Sequence, residues 1–192
     1  MALALLGAIG FGAAFSILCA VDATRLDIIK NTYADVFPGT AVGPQEGFIR
    51  GIITGAIGGT SLGLGFKRKI HILWLGLAGA IGFGIAFADI TLLASIVDIS
   101  AGGSVWAGAL IGGVGGLALG LASTRGNIPR SLLVGAAGAA AFAFVFALRH
   151  AVYRDDLCSS WNGFAGAVAG AALGFAIGVG LRRSTRGNSL RV

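Results

Sequence analysis

Four glycines recur every fourth residue in Val105-Trp-Ala-Gly-Ala-Leu-Ile-Gly-Gly-Val-Gly-Gly-Leu-Ala-Leu-Gly120, at positions 108, 112, 116 and 120. Residues four apart share one face of a helix. Everything between the glycines is apolar, so this face is a strip of bare backbone. A second helix can approach it closely and gain dispersion contacts and weak Cα–H···O bonds. In water such a helix loses about 1 kcal/mol per glycine relative to alanine. In lipid an unpaired backbone group costs several kcal/mol, so the helix is held regardless. The stripe therefore predicts a membrane helix built for tight packing.

Composition agrees. Of 192 residues, 56% are hydrophobic and only 11% charged, with a mean hydropathy of +0.88; a soluble domain carries roughly 25% charged residues. Six apolar segments are predicted, at about 3–21, 47–66, 70–90, 104–122, 131–149 and 161–181. Each reaches across a hydrocarbon core of roughly 30 Å. The start, Met-Ala-Leu-Ala-Leu-Leu, lacks the basic region of a signal peptide, so the first run is expected to stay as a span. Residues 22–46, rich in charge and carrying Pro38 and Pro44, read either as a short amphipathic segment on the membrane (Leu26, Ile28, Ile29, Tyr33, Val36, Phe37) or as an ordinary polar loop.

The stripe is written three times. Gly51-Gly55-Gly59-Gly63, Gly108-Gly112-Gly116-Gly120 and Gly166-Gly170-Gly174-Gly178 start 57 and 58 residues apart. Ser123-Thr-Arg-Gly-Asn127 recurs as Ser184-Thr-Arg-Gly-Asn188, and Ala8-Ile-Gly-Phe-Gly-Ala-Ala-Phe15 as Ala80-Ile-Gly-Phe-Gly-Ile-Ala-Phe87. The fifth segment keeps Phe142 and Phe146. The expectation is one all-α membrane domain over 1–192, six transmembrane helices in three hairpin repeats (about 1–66, 67–126 and 127–192), with GxxxG zippers on the even-numbered helices. The three hairpins could close around a pseudo-threefold axis, zipper helices inside and Phe-bearing helices outside, or lie in a row.

Basic residues sort the two sides. The 67–71 turn, the 123–130 turn and the C-terminal tail hold nine of the 14 Lys and Arg, and no acid; the opposite loops hold the other five and every Asp and Glu. The positive-inside rule then puts both termini on the cytoplasmic side of a multi-pass protein. The formal charge of +6 is read as topology and lipid contact, not nucleic-acid binding.

Sites of chemistry are sparse. Gly63-Leu-Gly-Phe-Lys67 has no Ser or Thr after the lysine, so a phosphate loop is excluded, and no third glycine follows Gly10-Phe-Gly12 or Gly82-Phe-Gly84. His71 and His150 stand at segment ends with no Cys/His/carboxylate cluster beside them. No catalytic, cofactor or metal residue is assigned, and an enzyme is not expected. Arg50 and Asp89 fall at similar depth and could pair, as a salt bridge locking two repeats or as part of an ion path. Thr54, Thr60 and Ser61 are the only mid-segment hydroxyls that suggest a polar path; such groups commonly bond their own helix backbone. Cys19 and Cys158 share the acidic side and could form a disulfide, or stay two separate thiols.

Arg149-His-Ala-Val-Tyr-Arg-Asp-Asp-Leu-Cys-Ser-Ser-Trp-Asn-Gly-Phe-Ala-Gly-Ala-Val-Ala-Gly170 resembles the Tim17/Tim22/Tim23 family of membrane transporters, in which an Arg/Asp-bearing loop precedes a GxxxG helix. Arg154, Asp155, Asp156, Gly166 and Gly170 carry the match; the spacing and the six segments depart from the family pattern. The resemblance implies a subunit of a translocase or respiratory assembly in an organelle. The function expected from the residues is a non-enzymatic scaffold or accessory subunit, in a homo-oligomer or with other membrane subunits. The alternative is an oligomeric channel or transporter for ions or small solutes.

Overall fold

A computed structural model of the chain describes residues 1–33, 44–96, 101–152 and 160–188. Among the described residues the fold is all helical: α1 (Ala2–Tyr33), α2 (Pro44–Gly63), α3 (Ile70–Ile96), α4 (Ala101–Ser123), α5 (Ile128–Val152) and α6 (Ser160–Asn188). Four stretches are long and apolar enough to cross a membrane: Ile70–Ile90, Val105–Ser123, Ile128–Leu148 and Gly163–Leu181. A shorter apolar run covers Ala2–Leu18. The helix α1 continues to Tyr33, through the first half of the stretch expected as a surface segment or loop. Charges mark the end of the apolar run there, but residues 22–33 contain neither Gly nor Pro, so nothing stops the helix.

The helices form a closed ring. Each packs against its sequence neighbours, and α6 returns to pack against α1. The closest pairs are α2 with α3, α4 with α5, and α6 with α1. Each pair runs antiparallel: Gly51 lies against Phe83, Gly59 against Leu75 and Gly63 against Ile72; Gly108 lies against Phe142 and Gly120 against Ser131; Gly166 lies against Phe11 and Gly174 against Leu3. The closest partner of each even helix is thus the odd helix after it, not the one before it. A row is ruled out by the α1–α6 contact.

The centre of the ring is filled from the odd helices. Phe11, Phe83 and Phe142 have no solvent exposure. Their ring centroids are 5.2 Å (Phe11–Phe83), 5.7 Å (Phe83–Phe142) and 6.4 Å (Phe11–Phe142) apart, in tilted and edge-on geometries. Such offset arrangements suit the ring quadrupoles. An arrangement with Phe-bearing helices outside is therefore corrected: Phe11, Phe83 and Phe142 of these helices form the core. Leu62, Leu119 and Ile177 of the even helices are buried with them. The outward surface carries Leu73, Trp74, Trp106, Phe144, Phe164 and Phe175, each more than half exposed. The centre is apolar as in a water-soluble domain, but the exterior is apolar as well, in keeping with four stretches long and apolar enough to cross a membrane.

Both described turns lie at one end. The α2–α3 turn is tightened by Gly65 N–H to Leu62 O (3.1 Å) and Phe66 N–H to Gly63 O (3.0 Å). The α4–α5 turn closes with Gly126 N–H to Leu121 O (3.0 Å), a six-to-one bond that caps a helix carbonyl. Arg125 and Gly126 adopt φ of 54° and 80° there. Asn127 then caps α5, its Oδ1 accepting from Arg130 N–H at 3.3 Å.

Candidate functional site

A Cβ placed at Gly55 would overlap the Gly79 carbonyl, and one at Gly79 would overlap the Gly55 carbonyl. Gly112 and Gly138 stand in the same reciprocal relation, as do Gly170 and Gly7. Only a glycine hydrogen fits between these backbones, and it faces a carbonyl oxygen on each side, as in paired Cα–H···O contacts. Around each crossing the stripe repeats the approach. Gly51 meets Phe83 and Gly84, Gly59 meets Leu75, Gly63 meets Ile72, Gly116 meets Val134 and Gly135, and Gly174 meets Leu3 and Ala4. Gly178, fourth in its stripe, meets only Leu3 Cδ1 at 3.8 Å, an ordinary contact.

The partner glycines Gly7, Gly79 and Gly138 were not singled out from the sequence. A signal for them exists. They stand four residues before Phe11, Phe83 and Phe142, so each odd helix carries the same Gly-x-x-x-Phe. The glycine passes the neighbouring backbone and the phenylalanine, one turn on, enters the core. On the even helices, Gly58 makes room for the Phe11 ring and Gly115 for the Phe83 ring (Cε2 at 2.5 Å from a Cβ there). The equivalent position on α6 is Leu173, fully buried, whose Cδ2 reaches toward Gly116 and Gly138.

The hydroxyls behave differently from one another. Thr60 Oγ1–H donates to Ala56 O of its own helix at 2.7 Å, as expected. Ser61 Oγ–H instead crosses to α1, donating to Leu6 O at 2.7 Å. Thr54 is fully buried and its Oγ1 has no hydrogen-bond partner. It holds the place that Ile111 and Ala169 hold in α4 and α6, both apolar and buried.

Arg50 donates to Glu46 Oε1, one turn back, at 3.1 Å. Asp89, its expected partner, lies on the exposed face of α3. The side chains of Cys19 and His150 lie outside the described residues, as do 153–159, which hold Cys158, the expected partner of Cys19, and Arg154, Asp155 and Asp156 of the expected family resemblance. His71 stacks on Phe66, ring centroids 4.9 Å apart and planes within 8°. Its Nδ1 is buried without a hydrogen-bond partner.

The basic turns come together at the end where the chain starts. Gly65 lies against Leu3, so the α2–α3 turn sits beside the first residues of α1. Lys67, Arg68, Lys69 and Arg125 are exposed there and Arg130 is half-buried. No family model, curated protein or solved structure matches this chain.

Proposed function

We propose that the chain is a non-enzymatic integral membrane protein of six spans, a closed barrel of helices that serves as a scaffold or accessory subunit and not as a conduit. The observation that carries this is the aromatic trio Phe11, Phe83 and Phe142, fully buried where a pore through the ring would run. A path for ions needs polar groups or water along its length, and this axis offers packed rings. The two helices outside the four apolar spans are counted as spans because of their neighbours. Gly51–Gly63 of α2 lies along residues 72–84 of α3, and Leu3–Phe11 of α1 lies along Gly166–Gly174 of α6. Each must share its partner's depth.

On this reading the three stripes are glycine zippers of one repeated pair, α2–α3, α4–α5 and α6–α1. Their faces are occupied within the chain. Partner subunits or further copies would then dock on outward faces such as that of Trp106, Phe144 and Phe164. The basic end, with the chain start and both turns, faces the cytoplasm under the positive-inside rule.

The test is purified protein in liposomes loaded with ion-sensitive dye. Leak equal to that of protein-free liposomes is expected. Flux above that background, altered by Asp89→Asn, would replace this reading with the channel alternative.

A further inference from the structure

The two basic turns bound a cleft at the seam between α3 and the end of α4. It is an open cleft of about 350 Å³, lined by Arg68, Ile70, His71, Trp74, Ala122 and Arg125. Arg68 comes from the α2–α3 turn and Arg125 from the α4–α5 turn, so arginines of two different helix pairs line one cleft. Among the described residues neither has an ion-pair partner, and the sequence offers none nearby. No acid lies between Glu46 and Asp89, or between Asp98 and Asp155. Below the two arginines the wall turns apolar: Ile70 is 51% and Trp74 57% exposed.

Two features set this seam apart from a generally basic end. Arg125 holds a left-handed backbone, φ 54°, beside a glycine that adopts it freely. A side chain there is disfavoured by about 1 kcal/mol or more, yet the turn keeps an arginine at the mouth of the cleft. Trp74 also breaks the repeat. By the register that aligns Phe11, Phe83 and Phe142, the other pairs carry Ala2 and Leu133 at this place. An indole at the membrane–water boundary puts its apolar body against chains and its N–H toward headgroups.

We propose that this cleft binds the headgroup of an anionic phospholipid, its phosphate held between Arg68 and Arg125 and its acyl chains laid over Ile70 and Trp74. Arginine forks match phosphate oxygens two at a time. The apolar lower wall selects a lipid over a free phosphate ion, which would leave Ile70 and Trp74 uncovered. The site rests on the membrane reading above and extends it from general lipid contact to one seam.

The full chain in mild detergent is titrated with phosphatidylglycerol, phosphatidylcholine or inorganic phosphate, and its thermal unfolding midpoint recorded. At about 100 times its dissociation constant, phosphatidylglycerol is expected to raise the midpoint by about 5–10 °C. Phosphatidylcholine and inorganic phosphate should shift it by less than about 1 °C on the same scale. Arg68→Gln and Arg125→Gln should each remove most of the phosphatidylglycerol shift while leaving the lipid-free midpoint in place. Lys67→Gln, exposed but outside the cleft, should keep it. A Trp74→Phe variant should lose the extra fluorescence quenching that brominated phosphatidylglycerol gives over brominated phosphatidylcholine. Equal stabilisation by phosphatidylcholine, reproduction of the shift by inorganic phosphate, or equal loss in Lys67→Gln would overturn the site. The membrane reading fails separately, if the protein stays monodisperse in buffer without detergent.

Discussion

Adjacent residues on α4 should respond oppositely to the same added methyl group. Gly112 faces the Gly138 carbonyl, with Phe142 Cβ only 2.9 Å from where a Cβ would stand; Gly113 faces Ala139 Cβ at 3.6 Å. At Gly113 an alanine fits at ordinary distance and gains helix propensity, up to about 1 kcal/mol in water and less in lipid. At Gly112 the obstacle is backbone, which cannot swing aside as a side chain can. The helices must part. Relieving Phe142 alone from 2.9 Å to the 3.4 Å of ordinary contact takes about 0.5 Å, and the Gly138 oxygen demands more. A gap of roughly 0.5–1 Å forfeits a quarter to a half of each dispersion well along the α4–α5 seam. Overpacking of this kind costs about 1–3 kcal/mol. Gly112→Ala should therefore lower the unfolding midpoint by about 4–8 °C if the loss is about 2 kcal/mol. Gly113→Ala should leave the midpoint unchanged or slightly raised. Thermal unfolding of both variants in one detergent decides it. Coincident midpoints would refute the claim that bare backbone sets the spacing of this pair.

Phe83→Ala should cost about 3–5 kcal/mol, since it empties the middle of the three-ring core; a loss below about 1 kcal/mol in reversible unfolding would mean the rings are loosely packed. Thr54→Val should stabilise by about 1 kcal/mol by removing a buried hydroxyl with no partner, read as a raised midpoint. A clear destabilisation would show that the hydroxyl has an acceptor. Ser61→Ala should cost about 0.5–1.5 kcal/mol by deleting the bond to Leu6 O, while Ser61→Thr, with its extra methyl against Gly10, should cost more. Equal stability of wild type and Ser61→Ala would assign the α1–α2 seam to packing alone.

Much of the fold is legible in the sequence because apolar length and glycine spacing speak directly about helices. The order of the six helices follows the apolar segments closely. Their ends do not. The charges from Asp22 to Lys30 mark where α1 leaves the apolar region, but the backbone keeps its helix to Tyr33. The pairing of faces is less legible. A stripe such as Gly108–Gly120 announces a close partner without naming it, and the preceding helix α3 is no guide, because the stripe turns to α5. The partner was written elsewhere, in Gly7, Gly79 and Gly138, whose role shows only when each is read with the phenylalanine four residues later. Local sequence alone also misleads in one repeat. Ser123-Thr-Arg-Gly-Asn127 forms the turn after α4, whereas Ser184-Thr-Arg-Gly-Asn188 is the last part of α6. The first copy is followed by Ile128 and Pro129, which begin a helix that must double back. The cleft between Arg68 and Arg125 was not readable at all, since the two lie 57 positions apart and only the ring brings them together.

The pairing of α1 with α6 has a bearing on biogenesis. The glycine face of α1 finds its match only after Gly166–Gly174 has emerged, nearly the whole length of the chain later. At about 5–20 residues per second the wait is on the order of ten seconds or more. Until then α1 has no tight mate, and the ring stays open on that side. An insertase or chaperone that shelters a Gly-rich helix would act in that interval, and a chain stopped before α6 would leave α1 exposed to quality-control proteases.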